Sequence, residues 1–243
     1  MSDVPALVSV LFLLAGSPAG EDPHALLVRA DRVRNAWPEV VLKLRVTAQS
    51  PGGTPSSGEF RVSVKGDRAR VEFLDPKDAG TVFLSSANDA WLILPTARNP
   101  IKVPKSHRLR GGFAAADVSR TRFADDYDAV FERTDACGER QCDVIRLAAK
   151  RGSSPTYPVV RVWVDPKEGL YRRAVFLLAS GRTAKDVTFD EYKPYHGVLS
   201  IARMTITDTL RPGTTVVEYE DYEKKTLPDS LFDPQSARPK PTP

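Results

Sequence analysis

The sequence predicts a mainly β fold with a small α component: a curled antiparallel sheet of about ten or eleven strands whose open face is covered by helices. Three observations carry that expectation. Apolar and polar residues alternate with period two through most of the chain from Val40 onward. The alternating runs are joined by short clusters of Gly, Pro, Asp and Ser, as in a meander. Only two stretches break the pattern, one ahead of the first strand and one in mid-chain.

Taken in order, Ala6 to Ala15 read ALVSVLFLLA. That run is too short to span ~30 Å of hydrocarbon, which needs about 20 residues, and has the length of a signal-peptide apolar core. Ser17-Pro18-Ala19 sets small residues just before Gly20, so residues 1–19 are expected to be a secretory signal, although Met1 to Pro5 carry no Lys or Arg. Leu14-Ala15-Gly16-Ser17 has the outline of a lipoprotein signal box with Ser in place of the Cys that would be acylated. The expected product is one unanchored domain over residues 20–233, soluble in the periplasm, with a disordered Pro-rich tail over 234–243.

Asp22 to Trp37 is the expected helix. Asp22 can cap it, Pro23 suits the first position, Leu26, Leu27, Ala30, Val33 and Trp37 fall on one stripe, and Pro38 ends it. Strands follow: Val40–Thr47, then Phe60, Val62 and Val64 alternating with Arg61, Ser63 and Lys65, then Val71 and Phe73 alternating with Arg70 and Glu72. Thr81–Leu84 and Ala90–Leu94 come next. The second half repeats the habit at Val159–Val164, Leu170–Leu178, Lys185–Tyr192, Val198–Leu210 and Thr214–Tyr222. Several runs are apolar on both faces: Trp91 and Ile93 against Leu92 and Leu94, and Val160, Val162 and Val164 against Val159 and Trp163. Sandwich-core strands and the wall of an apolar cavity share that pattern, and periodicity does not separate them. The meander breaks from Arg98 to Asp128, where Asp117–Phe123 has the makings of a short helix.

With 41% hydrophobic and 27% charged residues and a net charge of +4, the chain is neither disordered nor a dedicated nucleic-acid binder. Cys137 and Cys142 flank the polar turn between two strand-like runs, so a disulfide stapling a hairpin is expected, and the pair alone makes no four-ligand zinc site. No G-x-S-x-G, S-x-x-K, P-loop, G-x-G-x-x-G or H-E-x-x-H occurs, and His24, His107 and His196 lie far apart in sequence. Neither an enzyme nor a cofactor or metal is expected. Asp125, Asp126 and Asp128 read as a solvated acidic loop. Arg98, Lys102, Lys105, Arg108 and Arg110, with no acid among them, form a basic stretch suited to anionic head groups or an acidic partner.

The order of several segments resembles the LolA-like outer-membrane lipoprotein-sorting family. These are the first helix running into a strand; Ala90-Trp91-Leu92-Ile93-Leu94-Pro95 before the basic stretch; Gly112 to Ser119 leading into Asp125-Asp126-Tyr127; Cys142 to Leu147 before Val162-Trp163-Val164-Asp165; Tyr195-His196-Gly197; Arg203 to Asp208; and Leu227 to Phe232. The resemblance covers roughly residues 22 to 233. It implies an incomplete antiparallel half-barrel closed by helices over an apolar cavity that shields acyl chains of a lipoprotein or phospholipid. It further implies a monomeric soluble carrier, loaded by an inner-membrane transporter and emptied by an outer-membrane acceptor. On that reading Val62, Val64, Val71, Phe73, Trp91, Ile93, Phe113, Val162, Phe176 and Met204 are the candidate lining, each of which could equally be ordinary core. The alternative is a non-enzymatic lipid-sensing or accessory module serving an envelope exporter or a stress-signalling complex.

Overall fold

A computed structural model of the chain describes residues 21–86, 89–104, 106–114, 117, 122–153 and 155–236. The expected signal (1–19), Lys105, residues 118–121 of the expected mid-chain helix and residues 237–243 of the expected tail lie outside the described residues. Pro234 to Ser236 form a turn in which the Ser236 backbone N–H donates to the Asp233 carboxylate at 3.1 Å.

Helix α1 (Pro23–Arg34) opens the described chain. The Asp22 carboxylate accepts from the Ala25 backbone N–H at 3.0 Å and Pro23 occupies the first turn, as the capping pattern predicts. The helix stops three residues short of Trp37, where the Asn35 N–H closes on the Asp31 carbonyl.

Thirteen strands then make one antiparallel sheet. They are β1 (Glu39–Gln49), β2 (Ser56–Lys65), β3 (Arg68–Phe73), β4 (Val82–Ser85), β5 (Ala90–Ile93), β6 (Ile101–Lys102), β9 (Tyr127–Cys137), β10 (Arg140–Ala149), β11 (Val159–Asp165), β12 (Leu170–Leu177), β13 (Thr183–Tyr195), β14 (Val198–Asp208) and β15 (Gly213–Lys224). A separate two-stranded hairpin, β7 (Arg108–Arg110) and β8 (Phe113–Ala114), and the short helix α2 (Phe123–Asp126) lie between β6 and β9 in sequence.

The order β6-β5-β4-β3-β2-β1-β15-β14-β13-β12-β11-β10-β9 consists of sequential hairpins with one exception, the antiparallel ladder of β1 on β15. The sheet is curled and not closed: its edges are β6 and β9, and the insertion carrying β7, β8 and α2 spans the stretch between them. Tight turns explain the hairpins. His196 at φ 48° and Gly197 at φ 80° supply the two left-handed residues of the β13–β14 turn, and Gly138 at φ 67° turns β9 into β10. The Cys137–Cys142 disulfide spans that second hairpin, with 6.0 Å between Cα atoms.

Alternation sorts the two faces of the sheet. Val40, Leu42, Leu44 and Val46 of β1 face inward and are buried, while Lys43 and Arg45 are exposed and pair with Glu59 and Glu220. The same phase brings Phe60, Val62 and Val64, Val160, Val162 and Val164, Met204 and Ile206, and Val217 and Tyr219 into one core with Leu26, Leu27 and Ala30 of α1. Every strand of the large sheet except the short edge strand β6 thus contributes one face to a single concave core, which α1 and the insertion fill.

The both-faced runs have a separate cause: the convex face carries two small apolar clusters of its own. Cys142, Val144, Trp163, Val175 and Leu177 form one, with the Arg173 guanidinium 4.7 Å from the Trp163 ring. Val82, Leu84 and Ile93 form the other, with Trp91 against them. Trp91 and Ile93 therefore do not line the concave face. Register decides this: Leu84 pairs with Trp91 and Val82 with Ile93, and the inward positions belong to Phe83 and Ala90.

Candidate functional site

The concave face is the only large continuous apolar surface that the sheet builds among the described residues, and its cover is a chain segment rather than more sheet. Phe113 of β8 is fully buried there, its ring 5.9 Å from Phe60, and Leu109 and Val103 pack against the same core. Gly111 and Gly112 allow the close approach. A Cβ on Gly111 (φ +54°) would lie 2.5 Å from the Ala48 Cβ and 2.6 Å from the Thr215 hydroxyl oxygen, so only glycine fits. The Gly112 N–H donates to the Thr215 hydroxyl oxygen at 2.8 Å.

Charged pairs fasten this cover. Lys185 of β13 and Asp208 of β14 face each other across the sheet, and both are buried on its inner side. The Lys185 ammonium bonds the Asp117 carboxylate at 2.6 Å, with both side chains at most 10% exposed. Asp208 is paired with Arg108 of β7. On the far side Arg110 reaches Asp75 at 2.9 Å and Asp78 at 3.4 Å, its guanidinium 5.8 Å from the Phe60 ring centre.

Two of the five basic residues in the Arg98–Arg110 stretch are therefore consumed within the fold. Arg108 and Arg110 turn inward as fasteners, because a buried carboxylate on β14 and two half-buried ones in the β3–β4 turn await them. Arg98 and Lys102 remain exposed, with Lys102 2.6 Å from Asp89. A continuous solvated basic patch is not what the described residues present.

A fourth tie runs through α1. Asp31, buried, accepts from the Ala124 N–H at 2.9 Å and from the Tyr171 hydroxyl at 2.9 Å. It thereby caps the first turn of α2, whose own cap position, Arg122, supplies no side-chain bond. Burial pushes the Asp31 carboxyl up to about 6, against the lowering effects of the Ala124 and Tyr171 bonds and the nearby Arg34; Asp125 adds to the rise. The acidic residues Asp125 and Asp126 belong to α2, with Asp125 3.2 Å from Arg122.

A linkage effect follows. Folded Asp31 takes up its proton at about 6 and an unfolded aspartate at about 4, so between those values the folded chain binds more protons. Stability is greatest below the lower value and declines as pH rises through the upper one, by about 3 kcal/mol. Urea unfolding at pH 4 and pH 7 should show this decline in the wild type. In Asp31→Asn the decline should shrink by about that amount, above a baseline lowered by about 1–2 kcal/mol for the unmatched hydrogen bond. An undiminished decline in the variant would assign the pH effect to other groups.

Of the candidate lining, Val62, Val64, Val71, Phe113, Val162 and Met204 lie buried in the concave core, and Phe73 and Phe176 pack half-buried against it. A cavity of about 60 Å³ remains in this interior, at the carboxyl-terminal end of α1. Its walls include Val40, Leu42, Val64 and Ile201, together with Arg34, Asp117 and Tyr219. Ligand pockets for acyl-sized molecules measure roughly 300–1,000 Å³, so an acyl chain enters only if the cover lifts or side chains move. No group of three or more potential metal ligands is found among the described residues. His24 lies on α1, His107 stacks on Phe83, and His196 stands in its turn 3.6 Å from Asp221.

This arrangement has known counterparts. A LolA superfamily protein of Nitrosomonas europaea is 25% identical, with a TM-score of 0.78 over 87% of this chain and 97% of that one. The chain belongs to the LolA-like superfamily. An outer membrane lipoprotein-sorting protein domain from Vibrio parahaemolyticus (20% identical, TM-score 0.76, covering 88% of this chain and 97% of that one) shares the LolA-like fold. So does a DUF1329 family protein from Desulfovibrio piger (19% identical, TM-score 0.78, covering 89% and 98%). A family model described only as that of an uncharacterized protein matches residues 65–237, more than half of this LolA-like chain, which is a member of that family too. No curated protein matches the sequence. The curled, unclosed sheet agrees with the half-barrel that the sequence resemblance implies. No helix among the described residues is long and apolar enough to cross a membrane.

Lys185, Asp208, Arg34 and Tyr219 were not among the residues singled out from the sequence. Two of them carried a readable signal. Lys185 falls in phase with Val187 and Phe189, and Asp208 in phase with Met204 and Ile206, so each places a charge in the apolar register of its strand.

Proposed function

We propose that the protein is a non-enzymatic periplasmic carrier that holds acyl chains of a lipid or lipoprotein against the concave face of its sheet. The observation that carries this reading is the character of the cover. An apolar concave face is roofed by an insertion whose fasteners are discrete ion pairs. Buried ion pairs contribute little net stability when formed, because each partner gives up its hydration. When the insertion lifts, Lys185, Asp208, Asp75 and their partners regain water, so opening costs less than their Coulombic attraction suggests.

Acyl burial supplies the opposing gain. At about 0.8 kcal/mol per CH2, a chain of fifteen methylenes offers about 12 kcal/mol relative to water, enough to offset displacement of a few aromatic side chains. Transfer onward then requires only an acceptor of higher affinity, and the proposed flow is from an inner-membrane donor to an outer-membrane acceptor with a monomeric carrier between. The LolA-like fold, shared with a lipoprotein-sorting domain, supports the same reading.

Native mass spectrometry of protein purified from a periplasmic extract, with lipid extraction of the same sample, tests it. Bound phospholipid, fatty acid or acylated peptide is the expected result. A clean unliganded mass from protein that also fails to take up an added fluorescent fatty acid would overturn the reading.

A further inference from the structure

Beside the interior cavity, at the end of α1, a cation has unmet hydrogen-bonding capacity. Arg34, in the last turn of α1, points its guanidinium into the core, 5.4 Å from the Phe123 ring centre and 5.9 Å from that of Phe189. These ring faces and Asp31 one turn earlier moderate its charge. They do not satisfy its N–H groups: the Nη1 atom is buried and meets no acceptor of the protein. The two acids within reach are already committed, Asp31 to Ala124 and Tyr171, and Asp117 to Lys185 and the Ala114 N–H.

A second donor opens onto the same 60 Å³ cavity. The buried Tyr219 hydroxyl has only the Met204 sulfur, at 3.7 Å, a weak acceptor. Its neighbours differ: Tyr222 donates to the Ile201 carbonyl at 2.7 Å and Tyr192 to the Tyr171 carbonyl at 2.8 Å. Burial pushes the Tyr219 hydroxyl up to about 12, so it remains protonated, and a donor, at any physiological pH. Buried polar groups without partners are scarce in folded proteins and costly to leave so. The unmatched Arg34 Nη1 and the weakly matched Tyr219 hydroxyl belong to two residues that line one cavity, whose walls also include Val40, Leu42, Ile201 and Asp117, the last with its charge met by Lys185.

We propose that Arg34 and Tyr219 form a seat for the anionic head of a single-chain amphiphile, a carboxylate or a phosphate, whose tail lies on the concave apolar wall. The inference rests on the acyl-carrier reading and narrows it: cargo enters head inward, and neutral acyl compounds of equal length bind less well. An anionic oxygen would complete both donors at once, and its charge would be balanced by the guanidinium.

Equilibrium dialysis of the delipidated full chain with dodecanoate, dodecyl phosphate and 1-dodecanol tests the proposal. Wild type is expected to bind at least one of the two anions about tenfold or more tighter than the alcohol. Preference for dodecanoate identifies a free fatty acid type of cargo, and preference for dodecyl phosphate a phospholipid type. Arg34→Met should abolish the anion preference, and Tyr219→Phe should reduce it about threefold, while dodecanol binding stays within twofold in both. Met keeps the aliphatic stem of Arg34 and loses the guanidinium's contacts with the Phe123 and Phe189 rings, so the melting temperature of Arg34→Met should fall only modestly; should it fail to fold, Tyr219→Phe carries the test alone. Equal binding of all three compounds by wild type, or a proportional loss of all three in the variants, would overturn the anionic seat and leave the carrier reading intact. Binding of none of them would remove the carrier reading itself.

Discussion

Replacing Lys185 with Met is expected to free the insertion from the sheet without unfolding the sheet itself. The substitution leaves the Asp117 carboxylate facing an apolar wall with only the Ala114 N–H, where a buried charge without its partner costs about 3–5 kcal/mol. The cheapest relief is for the insertion to lift, since Asp117 belongs to the insertion and Lys185 to the sheet. Hydrogen exchange should therefore quicken by about a hundredfold or more at residues 106–114 and 122–126, with β1, β14 and β15 little changed. The double variant Lys185→Met, Asp117→Leu removes both charges and should restore most of the protection, because an apolar pair of similar size replaces a buried ion pair at little or no net cost. Slow exchange at 106–114 in the single variant would show that the other ties hold the insertion unaided.

A carboxylate at Phe73 and one at Val62 are expected to act very differently. Val62 is completely buried in the middle of β2, between β1 and β3, and a Glu there would lose its hydration with no partner; Val62→Glu should not fold. Phe73 ends β3 half-buried, with its ring 5.0 Å from Phe60 and edge-on to it. There the new carboxylate reaches water, at the loss of about 2 kcal/mol of packing, while its charge repels an acyl chain lying along Phe60 and Phe113. Phe73→Glu should thus retain a cooperative melt and lose fatty-acid binding by more than tenfold, as measured by titration of a fluorescent fatty acid. Unchanged binding would place the chain elsewhere on the concave face.

These expectations differ because of burial, which the pattern of residues shows only in part. Alternation identified most strands of the large sheet and, for β2 and β3, the apolar phase that faces inward. It failed at β5, where both phases are apolar: Trp91 and Ile93 have the larger side chains, yet pairing with Val82 and Leu84 turns them to the convex face. Pairing register is a long-range property, and nothing local to Ala90–Ile93 encodes it. Arg108 and Arg110 depart from a solvated loop for a related reason: their partners Asp208, Asp75 and Asp78 are distant in sequence. Arg34 falls outside the apolar stripe of α1 formed by Leu26, Leu27, Ala30 and Val33. In a helix packed into a concave sheet, however, the last turn is surrounded, and Phe123, Phe189 and Tyr219 enclose that side as well.

The ladder of β1 on β15 also bears on how the chain reaches its native state. Every other neighbouring pair in the large sheet forms from strands consecutive along the chain, whereas this ladder joins Val40 to Lys224. The protein is in effect two meanders, residues 39–102 and 127–224, zipped together along one seam. Local hairpins close quickly, while the seam must wait for distant segments to meet, so it sets the topological part of the folding barrier. A circular permutant that links the present ends and opens the chain within the mid-chain insertion would make all thirteen strands consecutive. In that molecule the seam becomes an ordinary hairpin neighbour, and the slow search for it disappears.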